Sequence, residues 1–163
     1  MEKRGAKNKI LVFSISFLLV IATAFIGSIF TSQSTNTEWY NSIKPSITPP
    51  NSIFPVAWTI LFFLIALSLA FTWLSATKKQ KKKVALFFGI NLVLNIIWSL
   101  FYFGLKNPLL SFIDITALII SIISLLLLTW KINKRSFYLL IPYLLWVCFA
   151  AILNYLSIKV LLL

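Results

Sequence analysis

The sequence has no histidine, one cysteine (Cys148) and no methionine after Met1. These side chains supply most zinc, haem and soft-metal ligands in proteins, so we expect no metal site, no cofactor and no disulfide within the chain. A Ser-His-Asp triad is excluded for the same reason, and the four glycines form no phosphate-binding loop. Conventional acid–base catalysis is therefore not expected.

Charged residues are also scarce, at 11% of the chain, whereas 60% of its residues are hydrophobic. Soluble domains carry about 25% charged residues, so this composition indicates a protein built for lipid. Five apolar runs, each near the ~20 residues that span a bilayer as a helix, occupy residues 10–30, 55–74, 84–105, 109–130 and 137–158. They lack the alternation of a β-barrel. We predict one domain over residues 1–163, an all-α membrane protein with a five-transmembrane-helix bundle.

The first apolar run has an alternative interpretation as a cleaved signal peptide. Basic residues precede it, and Ala22-Thr23-Ala24 has the form of a cleavage site. The run is longer than the ~7–15 apolar residues of a signal peptide, so we expect it to remain as the first span.

The basic residues are distributed unevenly along the chain, whose net charge is +12. Twelve of the 15 fall in the alternate connecting segments 1–9, 75–83 and 131–136. The other three are Lys44, Lys106 and Lys159. The positive-inside rule therefore predicts a cytoplasmic N-terminus and an outer C-terminus, in what we expect to be a bacterial cytoplasmic membrane. The lysine run at 78–83 is expected to contact anionic membrane lipid, and no nucleic acid is expected as a partner.

A long proline-rich loop separates the first two spans. It covers residues 31–54, and the stretch KPSITPPNSIFPVAW at 44–58 holds four of the six prolines. Proline fixes φ and lacks an N–H, so we predict that this stretch is neither helix nor central strand. Connections of this length usually have a task of their own. Because its second half is apolar, we expect it to fold over the outer end of the bundle as a lid.

Several polar residues lie within the spans at helical spacing. Asn91, Asn95 and Trp98 share one face of the third span, and Trp146 shares a face of the fifth span with Asn154. Such asparagines often serve only to bond neighbouring helices. Asp114 is the one acid inside a span, where a charge is costly and often functional, although a helix N-terminus also favours an anion. Both interpretations of Asp114 stay open.

The tryptophans fall into two groups by depth. Trp73 and Trp130 precede lysines at inner span ends, as the interfacial aromatic belt requires. Trp58 and Trp98 lie in the outer half, and Trp146 lies near the middle of the fifth span. Each alone could be packing. Together with the lid and the polar residues they indicate a pocket for a flat, mostly apolar small molecule.

The chain resembles the TspO/MBR family of tryptophan-rich sensory or translocator proteins. The resemblance rests on motifs that occur in order from about residue 10 to 158: Trp39-Tyr40, Lys44-Pro45, Pro49-Pro50, Phe54 and Trp58; Leu94-Asn95-x-x-Trp98-Ser99; and Pro142-Tyr143-x-x-Trp146-x-x-Phe149-Ala150-x-x-Leu153-Asn154. It implies a five-helix bundle, often a homodimer, that binds porphyrins (tetrapyrroles such as protoporphyrin), sterols and benzodiazepine-receptor-type ligands beneath the first loop.

Carried over by position, the resemblance implies a ligand site that comprises Tyr40, Pro45, Trp58, Asn91, Asn95, Trp98, Asp114, Trp146, Ala150 and Leu153. The expected role is a sensor, carrier or scavenger of tetrapyrroles. An alternative is an enzyme that promotes light-dependent porphyrin breakdown, with Trp58 and Trp146 as redox partners. A purely structural membrane protein is the third possibility. For the dimer, the small-residue pair Ala85 and Gly89 is the expected seam, with Thr23 and Gly27 as the alternative.

Overall fold

The computed structural model describes residues 2–162, with side chains from residue 6 onward. Five long helices run through it, together with one short helix, and every long helix contains a segment apolar enough to cross a membrane. The helices are α1 (Glu2–Ser34), α2 (Glu38–Ile43), α3 (Ile53–Ser75), α4 (Lys78–Ser99), α5 (Pro108–Ile132) and α6 (Lys134–Leu161). This confirms the predicted all-helical class and the five spans.

The long helices form a closed ring. Going around it, α1 packs on α3, α3 on α6, α6 on α5, α5 on α4, and α4 returns to α1. The centre of the ring is apolar and almost fully buried, with Ile65, Phe88, Ile122, Leu125 and Val147 at its core. The outward faces carry exposed apolar side chains, as a bilayer requires; Leu18 on α1, for example, is 70% exposed.

The connections between the later spans are shorter than the sequence predicted, because capping residues start each helix early. Thr77 and Gln80 form a reciprocal capping box at α4, so that the lysine run belongs to the first turns of the helix. Asn107 caps α5, with Pro108 at its first position, and Asn133 caps α6. These caps satisfy backbone N–H groups that would otherwise lack partners.

The connection between α1 and α3 differs from the predicted continuous loop. Residues 38–43 form α2, which Thr37 caps by accepting a hydrogen bond from the Tyr40 N–H, and residues 44–52 follow without regular structure. The prediction that residues 44–58 contain no helix is wrong for 53–58, where α3 has already begun. Pro55 lies in the first turn of α3, where its missing N–H costs no helical hydrogen bond.

After α4 the helix widens into one turn of π-helix over Leu100–Gly104. The chain then reverses through Lys106, whose φ of 51° lies in the left-handed region that non-glycine residues seldom adopt. Single π turns occur often at functional sites. Here the turn brings Tyr102 and Phe103 into the interior, where both are buried.

The two small-residue pairs proposed as dimer seams lie in different environments. Thr23 and Gly27 face inward, and a Cβ at Gly27 would stand 3.3 Å from Ser99 Oγ. Gly89 is exposed, with nothing within 4 Å of a Cβ placed there. Gly89 and Ala85 border an apolar groove of about 280 Å³ between α1, α3 and α4. Of the two pairs, only this one is available to a second copy.

Candidate functional site

A small cavity lies at the end of the bundle that carries α2, referred to below as the α2 end. Its volume is about 30 Å³, which is room for a few water molecules. Its wall comes from α2, the segment that follows it, α3, the end of α4 and α6. The wall residues are Tyr40, Pro45, Thr48, Phe54, Trp98, Tyr102, Phe103, Ala150, Leu153 and Asn154.

Stacked and edge-on aromatic rings form most of this wall. Trp98 stacks on Tyr102 with ring centroids 5.5 Å apart, and Phe103 meets Tyr102 edge-on at 4.8 Å. Helix α2 closes over them, because Tyr40 packs on Phe103 at 5.9 Å and Trp39 packs on Tyr102 at 6.0 Å. The wall therefore presents ring faces and edges that suit an aromatic ligand.

The hydroxyl of Tyr40 is the titratable group that α2 contributes to the wall. Burial raises the pKa of this phenol above its ordinary value, since the charged form would lose its hydration. The hydroxyl therefore stays protonated at neutral pH and is a neutral hydrogen-bonding group beside the cavity.

Asn154 is the polar anchor of the wall. Its side-chain oxygen accepts hydrogen bonds from Trp98 Nε1 at 3.2 Å and from Ser111 Oγ at 3.0 Å, and its amide donates to the Pro108 carbonyl at 2.8 Å. These bonds join α4, α5 and α6 at one point. Because all are buried or nearly so, they fix the wall rigidly.

A second polar group lies deeper in the bundle, around the buried Tyr143 hydroxyl. Asn95 donates to this oxygen at 3.0 Å, and the hydroxyl in turn donates to Asn91 at 3.3 Å. Asn91 continues to Ser121 at 2.8 Å. Trp58 packs edge-on against the Tyr143 ring, with centroids 6.4 Å apart. This network satisfies its own members and holds α4, α5 and α6 together.

The ten residues of the predicted site are thus divided between several places. The cavity wall holds five of them, namely Tyr40, Pro45, Trp98, Ala150 and Leu153. Trp58, Asn91 and Asn95 belong to the group around Tyr143. Trp146 lies behind the wall, with its ring edge-on to Phe54 at 5.9 Å.

Asp114 is buried, with 6% of its surface exposed, on α5 one turn beyond Ser111. The N-cap of α5 is Asn107, seven residues earlier in the chain, so Asp114 lies beyond the first turn, where the helix dipole acts most strongly. Among the described residues, four side-chain atoms are buried without a hydrogen-bond partner: Asp114 Oδ2, Thr48 Oγ1, Trp146 Nε1 and Ser136 Oγ.

The segment over the cavity is clipped to the end of α1. Lys44 Nζ donates to Asn51 Oδ1 at 3.0 Å, and Asn51 Nδ2 donates to the Thr35 carbonyl at 3.4 Å. Both bonds are exposed to solvent, so each contributes little. Two weak hydrogen bonds therefore hold residues 44–52 in place over the cavity.

Comparison with known proteins agrees with this architecture. Residues 16–159 match the model of the TspO/MBR family. The tryptophan-rich protein TspO of Archaeoglobus fulgidus is 44% identical over 141 residues, which cover 86% of this chain and 90% of that protein. The protein of the same name from Chlorobaculum tepidum is 37% identical over 149 residues, or 91% of this chain and 94% of that protein. This chain belongs to the TspO/MBR family.

A more distant member carries a name that refers to function. The tryptophan-rich sensory protein of Cereibacter sphaeroides is 27% identical over 119 residues, which cover 72% of this chain and 73% of that protein. Together with the five apolar helices, membership of the family establishes a multi-pass integral membrane protein.

Five wall residues are absent from the predicted site. Phe54 and Asn154 occur in the sequence motifs but not in that site, whereas Thr48, Tyr102 and Phe103 were not identified at all. Thr48 carries no signal of its own in a loop. Tyr102 follows Trp98 by four residues and continues the face that begins at Asn91, so helical spacing could have identified it. Phe103 could not be identified in this way, because the π turn changes the spacing of the face at that point.

Proposed function

We propose that this protein binds tetrapyrroles, and other flat apolar molecules such as sterols, at the α2 end, and that it acts as a membrane sensor, carrier or scavenger of them. The observation that carries the proposal is the aromatic cavity beneath residues 44–54. The name of the Cereibacter sphaeroides relative, a sensory protein, supports the same class of role.

The chemistry of the wall suits a conjugated ring. Stacking on an aromatic face contributes roughly 0.5–1.5 kcal/mol beyond the burial of area, and Trp98, Tyr102 and Phe103 offer such faces. The Thr48 hydroxyl is a polar group on the wall that a ligand's edge would satisfy. A few fixed polar groups in an apolar wall are typical of small-molecule sites.

The cavity must widen for such a ligand to enter, because a tetrapyrrole is far larger than its 30 Å³. The wall held by Asn154 is rigid, whereas residues 44–52 have no regular structure and a weak clip. If residues 44–52 move together with the first turn of α3, Phe54 moves with them. This would uncover the Trp146 ring, against which Phe54 now packs. The ligand would then lie between the Trp98 side and the Trp146 side of the opened site.

The direct test is a titration of the purified protein with protoporphyrin in detergent. We expect saturable quenching of tryptophan fluorescence at one ligand per chain, because the indoles lie at and behind the wall. Absence of saturable binding would contradict the proposal. Illumination of the complex separates a binder from the photo-oxidative alternative: a binder gives no product that depends on the protein, whereas an enzyme gives a distinct one.

Orientation and assembly complete the proposal. The lysine-rich end is placed in the cytoplasm by the positive-inside rule, so that the α2 end faces outside. A homodimer through Ala85 and Gly89 agrees with the exposed groove beside them.

A further inference from the structure

The rim of the cavity at the α2 end carries positive charge at two points. We propose that Lys44 and Lys106 bind carboxylates of the ligand, so that the site selects a flat apolar ring bearing carboxylates over the same ring without them. This inference rests on the proposed function and adds to it the residues that recognise the charged edge of the ligand.

Lys44 lies at the edge of the wall, because its neighbour in the chain is a wall residue. It lies between Ile43, the buried last residue of α2, and Pro45, a wall residue. Its Nζ lies 5.8 Å from the centroid of the Tyr40 ring and donates to Asn51 Oδ1. An ammonium group has three N–H donors, so bonds remain for a ligand oxygen. The partner it has is a neutral amide, which leaves the charge uncompensated there.

Lys106 also lies beside this short helix. It follows the wall residue Phe103 by three positions, in the left-handed conformation that reverses the chain after the π turn. Its Nζ lies 5.9 Å from the ring centroid of Trp39. Because Trp39 and Tyr40 are adjacent in α2, both ammonium groups lie beside the helix that closes the cavity.

The local balance of charge favours an anion. In the connecting segments of this end, residues 35–52 and 105–107, the acidic residue is Glu38, against two lysines. The aromatic wall and the surrounding membrane lower the dielectric constant near the rim. A lower dielectric constant strengthens the attraction between the lysine ammonium groups and a carboxylate. A ring with carboxylates on one edge would place its apolar body in the site and that edge at the water-facing rim.

A lysine beside an aromatic ring is by itself ordinary at the end of a span. Lys159 makes the same kind of contact at the same end of the bundle, with its Nζ 5.1 Å from the centroid of the Tyr155 ring. Tyr155 packs on Phe112, and neither is a wall residue, whereas the Trp39 ring beside Lys106 packs on the wall residue Tyr102. Lys159 is therefore the matched control: the same charge and the same contact, away from the cavity.

The test compares protoporphyrin, which carries two carboxylates, with its neutral dimethyl ester. Both are titrated in one detergent against the wild type, Lys44→Gln, Lys106→Asn, the double variant and Lys159→Gln. Asparagine is chosen at 106 because it tolerates the left-handed conformation. The measured quantity is the ratio of the two Kd values, ester over acid. Partitioning into micelles is the same for every variant, and a general loosening of the segment affects both ligands alike, so neither changes the ratio from one variant to another.

We expect each rim variant to lower this ratio roughly two- to fivefold, as for a partly exposed ion pair, and the double variant to lower it further. Lys159→Gln should leave the ratio unchanged. Raising the salt concentration should weaken binding of the acid and not of the ester. Equal ratios in the wild type and the double variant, with both ligands bound, would overturn the inference and leave the proposed function standing. Failure of both ligands to bind the wild type would overturn the proposed function instead.

Discussion

The Trp98 indole donates its N–H to the Asn154 side-chain oxygen across 3.2 Å, which links α4 to α6 on the wall of the cavity. The same oxygen accepts a hydrogen bond from Ser111, and the same side-chain amide donates to the Pro108 carbonyl. Asn154 therefore links α4, α5 and α6. The part of the wall on α4 and α6 is therefore held firmly, and we propose that residues 44–52 are the part that moves.

Replacement of this amide should damage stability and binding together. Asn154→Ala leaves the Trp98 N–H without a partner and removes the bonds to Ser111 and to the Pro108 carbonyl, and a buried donor left unsatisfied costs about 1–3 kcal/mol. We expect a lower Tm in detergent and weaker protoporphyrin binding. Asn8→Ala, at an exposed position at the opposite end, is the control and should change neither. Wild-type values in Asn154→Ala would show that the wall does not depend on this amide.

Loss of the two hydrogen bonds of Asn51 should change the rates of ligand association and dissociation more than the affinity. Asn51→Ala removes the bonds to Lys44 and to the Thr35 carbonyl that hold the segment closed. Two exposed hydrogen bonds at about 0.5 kcal/mol each correspond to roughly fivefold. We expect protoporphyrin association and dissociation, followed by stopped-flow fluorescence, both to accelerate by about that factor. Asn41→Ala, exposed on α2, should retain wild-type rates. Unchanged rates in Asn51→Ala would mean that the segment does not limit entry.

Orientation can be tested with single cysteines in a Cys148→Ser background. Ser34 is a poor labelling site, because it is 5% exposed and its hydroxyl donates to the Phe103 carbonyl. Asn36 and Lys82 are exposed at opposite ends of the bundle and are suitable instead. With a membrane-impermeant reagent on intact cells, Asn36→Cys should label and Lys82→Cys should label only after lysis. Labelling of both from the same side would contradict the predicted orientation.

The dimer seam can be tested at Gly89, where the structure has space for a side chain. Gly89→Leu should fold normally, because nothing lies within 4 Å of the added Cβ, and should fill the groove that we expect a second copy to contact. We expect a lower dimer fraction by light scattering in detergent. Thr116→Leu adds bulk to an exposed position on α5 and should leave the dimer intact. A wild-type dimer fraction in Gly89→Leu would place the seam elsewhere.

The five spans could be predicted from the sequence because each is a long apolar run, and hydrophobicity summed over about 20 residues is a strong signal. The face that carries Asn91, Asn95 and Trp98 could also be predicted, since its spacing is helical, and the structure turns all three toward partners on α6.

Other features depend on tertiary contacts and could not be obtained in this way. Helix α2 has six residues, too few to be stable alone, and it is held by the burial of Tyr40 and Ile43. The π turn moves Phe103 to the wall against the expected spacing. Trp58 and Trp146 were predicted beside the ligand, and the closed cavity leaves both outside its wall.

The measurement that tests the central claim most directly is protoporphyrin affinity in four tryptophan variants. Trp146→Ala and Trp58→Ala remove indoles near the cavity at the α2 end of the bundle. Trp73→Ala and Trp130→Ala remove indoles at the lysine-rich end, where they pack beside Lys81 and Lys134. Each variant loses a large aromatic side chain, so general destabilisation would affect all four.

We expect Trp146→Ala to raise Kd about tenfold or more, because the opened site would present its ring to the ligand, and every ~1.4 kcal/mol is a factor of ten. We expect Trp58→Ala to weaken binding as well, because Trp58 packs on the Tyr143 ring beneath the site. The second pair should retain nearly wild-type affinity, with folding checked for all four by size-exclusion chromatography. Equal losses in both pairs, or wild-type affinity in Trp58→Ala and Trp146→Ala, would contradict a ligand site at the α2 end.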